Sequence, residues 1–210
     1  MGKINISGML KAITRGRASI APDNALLVAI SGIDAAGKTT VSGKLAFSLR
    51  EEGLEVAMIS LEKWHNPRKR PISGPKPAVT YYQEAYKWQP LFEQLLLPLK
   101  QTRSVALKNA TIEVAPEQFQ TQNYEFAAVD VVLVDGVFLL KPQVRAYFDL
   151  GFWVEVSFTT ALNRALKVKP RGVSISQYMA NFQKVYFPAQ RLHIERDTPQ
   201  DVANAVYPND

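Results

Sequence analysis

The stretch Gly32-Ile33-Asp34-Ala35-Ala36-Gly37-Lys38-Thr39 constrains this chain more than any other feature. It fits the pattern G-x-x-x-x-G-K-[ST] at every fixed position, which at average residue usage a chain of this length shows by chance about once in a hundred. Its setting strengthens it. The run Ala25–Ile30 ahead is continuously apolar, as in a parallel strand buried on both faces, and Val41, Leu45 and Leu49 follow at helical spacing. A strand, a glycine-bearing turn and a helix in that order form the arrangement in which such a loop binds phosphate. Its backbone N–H groups wrap an anion, and the helix N-terminus adds a positive dipole end. Gly32 and Gly37 permit backbone conformations and close approach that a side chain would obstruct. Lys38 is expected to neutralise the β- and γ-phosphates of a nucleotide, and the Thr39 hydroxyl to ligate Mg²⁺. Thr40 and the intervening Ile33, Asp34, Ala35 and Ala36 complete the expected nucleotide cradle.

The rest of the chain keeps the alternation. Glu55–Ser60, Val129–Val134, Phe152–Phe158 and a short Ala205–Tyr207 read as further strands with helical stretches between them. That order predicts an α/β fold, a parallel sheet flanked by helices. Two stretches interrupt it. His65–Pro77 holds four prolines and the cluster Arg68-Lys69-Arg70, and reads as a loop. Within Gln101–Glu125, the runs Ser104–Leu107 and Thr111–Val114 around Asn109 predict a hairpin inserted into the sheet order. Between these stretches Pro90 suits a helix first turn, and Phe92, Leu95, Leu96 and Leu99 give that helix an apolar stripe. Residues 1–24 read as an N-terminal amphipathic helix packed on one domain spanning 25–210. A basic membrane-surface helix is the alternative for Lys11, Arg15 and Arg17.

Composition narrows the chemistry. With 47% apolar and 21% charged residues over 210 positions, the chain is of ordinary globular make-up. It has no cysteine, which excludes a disulfide framework, a thiolate zinc site, an iron–sulfur cluster and a cysteine nucleophile. Two histidines, His65 and His193, are too few for a histidine-rich metal site. No apolar run approaches the roughly 20 residues that a spanning helix needs. A cysteine-free chain fits a reducing, cytoplasmic compartment. The net charge of +6 points to an anionic partner, either nucleic acid or a phosphorylated small molecule.

Asp135 ends the run Val129–Val134 and precedes Gly136. A carboxylate at the end of a strand beside the phosphate-loop strand completes a Mg²⁺ site, usually through water; an ordinary cap is the plainer reading. No Asn-Lys-x-Asp guanine-reading signature is present.

Taken in order, the motifs resemble the uridine kinase and phosphoribulokinase-like P-loop kinases, in particular the bacterial uridine kinase-like branch. The resemblance runs from about Ala25 to Pro208. Gly32–Thr40 resembles the family's phosphate loop. Ser60-Leu61-Glu62-Lys63-Trp64-His65-Asn66-Pro67-Arg68 resembles its strand-two motif, an Asp followed two residues later by an aromatic. Tyr81–Trp88 is similar to its aromatic-rich segment, and Val134-Asp135-Gly136 to its acid-ending strand. Arg164–Gly172 stands where the family has an arginine-rich lid, and Tyr186–Arg191 where it has a substrate-side motif.

The resemblance implies an ATP- and Mg²⁺-dependent kinase acting on a hydroxyl of a nucleoside-like or other small acceptor. Lys38 and Glu62 would be its catalytic residues, with Thr39, Asp135 and Glu62 about the metal. Arg164, Lys167, Lys169 and Arg171 would close over the nucleotide, and Trp64, His65, Arg68, Tyr81, Tyr82, Tyr86 and Arg191 would face the acceptor. It implies neither a nucleic-acid nor a membrane partner and leaves the oligomeric state open. The chain departs from the pattern at three places: Glu62 replaces the Asp, Lys167, Lys169, Pro170 and Arg171 stand at the lid's usual Arg-Asp ending, and Lys87 stands where many relatives carry an acid. A catalytically weak nucleotide-binding protein is the alternative that Glu62 and the altered lid suggest. A nucleic-acid module built on Arg68–Arg70 is a second.

Overall fold

The computed structural model describes residues 2–66, 75–115, 118–168 and 174–210. Arg68, Lys169 and Arg171, with the whole basic cluster Arg68–Arg70 and residues 169–172 of the expected lid, lie outside the described residues.

The strand ahead of the phosphate loop, β1 (Leu26–Gly32), is buried along its whole length and sits at the centre of a five-stranded sheet. Around it are β2 (Val56–Ser60), β5 (Val131–Gly136), β6 (Leu150–Glu155) and β7 (Ala205–Pro208), in the order β2-β5-β1-β6-β7. Every neighbouring pair is parallel. Parallel strands need crossovers, and the helices that make them cover both faces, which is why β1 and β5 carry apolar side chains without alternation. The chain has the P-loop NTPase fold.

The register does the positioning. Asp135 pairs with Ile30 of β1 on one side and with Ser60 of β2 on the other. The carboxyl ends of three adjacent strands therefore bring the phosphate loop, Asp135 and the residues after Ser60 together. In open parallel sheets this end is where ligands bind.

Of the helices, α1 (Ile6–Ser19) starts with Asn5 accepting from the Gly8 N–H and buries Met9 and Ile13 against the sheet and the next helix. That helix, α2 (Lys38–Glu51), follows the phosphate loop and buries Val41, Leu45 and Leu49 at four-residue spacing. After β2 a tight 3₁₀ turn (Leu61–Trp64) leads to α3 (Pro77–Glu84), then to α4 (Trp88–Leu91) and α5 (Leu97–Thr102), joined through a wider π turn at Phe92–Leu96. Phe92, Leu95, Leu96 and Leu99 are buried, so the apolar stripe is the buried face. The short α6 (Pro142–Arg145) precedes β6, and α7 (Phe158–Lys167) follows it. Next come α8 (Ile175–Asn181), a second π turn (Phe182–Tyr186), α9 (Phe187–Asp197) and α10 (Pro199–Val202).

Two expectations need correcting. The hairpin does not turn at Asn109: β3 (Val105–Ala115) runs straight through it and pairs antiparallel with β4 (Gln118–Phe126) in a separate two-stranded sheet. Asn109 breaks the β-branched run in sequence, but the ladder absorbs it in an irregularity between Leu107 and Ala110. The sixth strand ends at Glu155 and not at Phe158, because Ser157 caps α7 by accepting from the Thr160 N–H. Local capping beats the apolar run there.

Close packing at the site end of the sheet is testable at Gly136. A Cβ built there would lie 2.5 Å from the Leu61 Cβ, and Leu61 is fully buried. Gly136→Ala should destabilise the chain by about 1–3 kcal/mol. Urea unfolding should show a lowered midpoint at an unchanged m-value; an unshifted midpoint would mean that the 3₁₀ turn yields freely.

Candidate active site

The phosphate loop bends through two left-handed positions, Ala35 (φ 56°) and Gly37 (φ 90°). Gly37 is the N-cap of α2 and makes no side-chain cap bond, and the first turn of α2 carries no acid. The positive end of the helix is thus left open to an anion. Lys38 is buried, and its Nζ donates to the Ile33 carbonyl oxygen at 2.8 Å, folding the ammonium back over the loop.

Thr39 Oγ1 donates to Asp135 Oδ2 at 2.9 Å. Burial pushes the Asp135 carboxyl above its ordinary pKa, against the Thr39 hydrogen bond and the nearby Lys38 charge, while Glu62 adds to the rise. A desolvated carboxylate beside a threonine hydroxyl is a hard-oxygen donor pair of the kind that would suit Mg²⁺. Among the described residues no group of three or more histidine, aspartate and glutamate side chains comes together as an all-protein cage.

Beside the loop lies a cavity of about 300 Å³ bounded by Gly37, Lys38, Thr40, Glu62, Arg164 and Val168. Glu62, in the 3₁₀ turn, is therefore on the same cavity as the phosphate-loop lysine. Arg164, on α7, also lines this cavity, whereas Lys167 is exposed on the same helix. A second cavity of about 270 Å³ adjoins the Thr39–Asp135 pair from the β2 edge, between Ser60, Lys63 and the hairpin residues Gln122 and Tyr124.

Asp34 has its own holder. Gln190 on α9 donates from Nε2 to Asp34 Oδ2 at 2.7 Å and accepts the Asp34 N–H at 3.2 Å through Oε1. Burial raises the Asp34 pKa; the Lys38 charge opposes this and the Glu62 charge adds to it. Two aromatic hydroxyls share this surrounding. Tyr81 and Tyr86 have their oxygens 3.5 Å apart; burial pushes both pKa values well up, helped for Tyr81 by the Asp34 charge and for Tyr86 by Tyr81 and then Asp34. His65 stacks on Tyr86 with ring centroids 4.7 Å apart, and Tyr186 packs on Tyr81 at 5.0 Å. His65, Tyr81 and Tyr86 thus pack together, within the reach of the Asp34 and Glu62 charges.

The other expected acceptor residues have partners of their own. Trp64 is buried and stacked on Tyr124 of the hairpin, with centroids 6.0 Å apart. Arg191 is exposed and lies over the Phe158 ring at 4.1 Å. Tyr82 donates its hydroxyl to Asp197 Oδ2 at 2.7 Å.

That bond belongs to a buried polar network behind the site. Asp197 Oδ2 is also hydrogen-bonded to His193 Nδ1 at 2.6 Å. Burial lowers the His193 pKa against the pull of Asp197, so the ring is held neutral. Lys141 is buried too; its Nζ donates to the Tyr82 carbonyl at 2.7 Å and sits 3.7 Å from the Tyr82 ring centre. Burial brings the Lys141 pKa down to about 8 and takes Tyr82 up to about 12.

The sequence places Gln190 only within the Tyr186–Arg191 substrate-side motif, with no partner of its own, and gives Asn209 no role. Gln190, His193 and Asp197 fall on one face of α9 at helical spacing, and all are buried, a polar stripe on an inward face that was legible in principle. Asn209 carries no periodic signal.

No protein-family model matches the chain. A uridine kinase of Leuconostoc citreum (strain KM20) is 26% identical over 171 residues, 77% of this chain and 79% of that protein. A candidate uridine kinase from Bacillus stearothermophilus superimposes with a TM-score of 0.72 at 21% identity, over 96% of each chain. A candidate fructose transport system kinase from Silicibacter sp. TM1040 gives 0.75 at 19% identity, covering 98% of this chain and all of its own (100%). The motif resemblance thus extends to a sequence relative, and the fold is that of the uridine kinase-like P-loop kinases.

The network has a pH signature. Lys141 binds its proton less tightly folded than unfolded, so the unfolded chain holds the extra proton between about pH 8 and 10.5. Stability from this group therefore rises with pH across that window. Relative to Lys141→Met, the parent should gain on the order of 3 kcal/mol between the two ends of the window. Denaturant unfolding at both ends checks this; parallel pH profiles for parent and variant would contradict it.

Proposed function

We propose that the chain is an ATP- and Mg²⁺-dependent kinase, a phosphotransferase with an alcohol group as acceptor, that acts on a hydroxyl of a small, nucleoside-like molecule. The observation that carries this reading is the placement of the Thr39–Asp135 oxygen pair on one flank of the loop and of Glu62 on the cavity beside it. Metal seat, phosphate cradle and a carboxylate for the acceptor meet within one site.

The loop N–H groups and the α2 N-terminus receive the phosphates. Lys38 trades its bond to the Ile33 carbonyl for phosphate oxygens. Thr39 and Asp135 would hold Mg²⁺, which would supply positive charge to offset that of the phosphates. Glu62 accepts the proton of the attacking hydroxyl. The acceptor oxygen bonds to the γ-phosphorus, the bond to the β,γ-bridging oxygen breaks, and ADP leaves. Phosphoryl transfer asks mainly for positioning and charge neutralisation, which these groups supply. Asp34, His65, Tyr81 and Tyr86 face the acceptor with hydrogen-bonding atoms and flat rings. Arg164 and Lys167 would close over the nucleotide, the role also expected of Lys169 and Arg171. A small-molecule kinase fed by ATP belongs in the cytoplasm, which the cysteine-free composition suits.

Two measurements test the reading. A panel of uridine, other nucleosides, fructose and glycerate, assayed with Mg²⁺ and ATP, should yield a phosphorylated product for at least one; slow ATP hydrolysis with no acceptor phosphorylated would favour a nucleotide-binding role instead. With that acceptor, Glu62→Gln should lower kcat by about 10²–10⁴-fold while ATP still binds, and Glu62→Asp should retain more activity. A Glu62→Gln chain at parental rate would remove the base from Glu62.

A further inference from the structure

The cavity beside the phosphate loop has two walls from distant parts of the chain: the loop itself and Arg164 on α7. Nothing in the loop's own hydrogen bonds fixes their separation. The residue that spans them is Asn209, directly after β7. Its backbone N–H extends the sheet ladder by donating to the Glu155 carbonyl at 2.9 Å, which locks it to the end of β6. Its side-chain Nδ2 donates to the Ala36 carbonyl in the middle of the phosphate loop at 2.7 Å. Its own carbonyl accepts from Arg164 Nη2 at 2.7 Å. One residue thus ties strand, loop and guanidinium together.

The contact is tight as well as polar. A Cβ on Gly37 would come within 2.6 Å of Asn209 Nδ2, so the amide lies directly against the turn that opens α2. The next residue reinforces the arrangement. The Asp210 carboxylate accepts the backbone N–H of Ser157 through both oxygens, at 3.1 and 3.2 Å, and Ser157 is the residue that caps α7. The start of α7 is pinned by Asp210, its Arg164 turn by Asn209.

We infer that Asn209 is a positioning residue for the nucleotide: it holds the Ala36–Gly37 turn of the phosphate loop at a fixed separation from the Arg164 guanidinium, so that both engage one bound nucleotide. This inference rests on the nucleotide site proposed above and adds a residue that touches neither phosphate nor metal. The physical reasoning is one of preorganisation. The Ala36 carbonyl points into a bond with the amide, which orients the neighbouring loop N–H groups toward the anion. The guanidinium loses its rotational freedom before the nucleotide arrives, so less ordering is left for binding to impose. An alanine at 209 keeps the main-chain bond to Arg164 but frees the loop carbonyl. An aspartate of the same size puts a carboxylate oxygen against that carbonyl and adds a negative charge beside the phosphates. A glutamine restores the amide with one methylene too many.

The test measures binding and needs no knowledge of the acceptor. Titration calorimetry with Mg²⁺ and a non-hydrolysable ATP analogue should show Asn209→Ala weakened about 3- to 10-fold, the share of one neutral hydrogen bond. Asn209→Asp should be weaker still, and Asn209→Gln should recover part of the loss. In a double-mutant cycle the effects of Asn209→Ala and Arg164→Ala should fall short of adding, since one residue acts partly through the other. Thermal melts of the same samples separate folding from binding. A purely structural strut would lower the melting temperature and leave the affinity of the folded protein unchanged, and that result would overturn the inference. Strict additivity in the cycle would overturn it too. A parental chain that binds no ATP analogue would instead defeat the nucleotide reading itself, and this inference with it.

Discussion

Everything at the functional end of this fold depends on an uncapped helix N-terminus. The first turn of α2 has no acid and no side-chain cap; α1, α7 and α8 each start with an Asn or Ser that accepts a backbone N–H, whereas the other helices, like α2, carry no such bond. Leaving several N–H groups unpaired costs stability unless an anion takes them. The loop ahead accepts a further cost, since Ala35 sits in the left-handed region, which disfavours a residue with a Cβ by about 1–2 kcal/mol. Neighbouring groups keep the loop in this shape: the Lys38 ammonium bonds its Ile33 carbonyl, Gln190 grips Asp34 on both sides, and Asn209 bonds the Ala36 carbonyl. A strained, positively polarised turn held from three directions suits the proposed role of receiving a polyanion without reorganising.

The sheet explains why this turn meets a carboxylate. With β1 central and β5 inserted between it and β2, Asp135 falls between the phosphate loop and the 3₁₀ turn that carries Glu62. Like charges gathered in a desolvated pocket resist ionisation, and the raised pKa values of Asp34 and Asp135 both include a Glu62 contribution. Lys38 offsets part of that cost. Behind the pocket, Lys141, Tyr82, Asp197 and His193 form a separate buried network that fixes α3 and α9, the helices that supply Tyr81 and Gln190.

Much of this was legible in the sequence, for identifiable reasons. The phosphate loop shows because its chemistry demands Gly, Gly, Lys and Thr at fixed spacing, and its flanking strand shows because a strand buried on both faces is continuously apolar. Asp135 shows because it ends such a strand. What the sequence hides is tertiary. Nothing local distinguishes Tyr81, whose hydroxyl meets that of Tyr86, from Tyr82 next to it, whose hydroxyl goes to Asp197; the helix turn between them decides. Trp64 reads as readily as an acceptor platform as it does as the core residue stacked on Tyr124. The hairpin turn was misplaced because Asn109 mimics a turn signal inside a ladder that tolerates it. Asn209 gave no signal at all, since its partners are 173 and 45 residues away.

The central claim is that loop and α7 close on one magnesium-bound nucleotide. Amide hydrogen exchange with and without Mg²⁺ and a non-hydrolysable ATP analogue tests it most directly. The account predicts slowed exchange at Gly32–Thr40 and, together with it, at Arg164–Lys167, with little change along α1. Unchanged exchange in the loop at saturating nucleotide would contradict it.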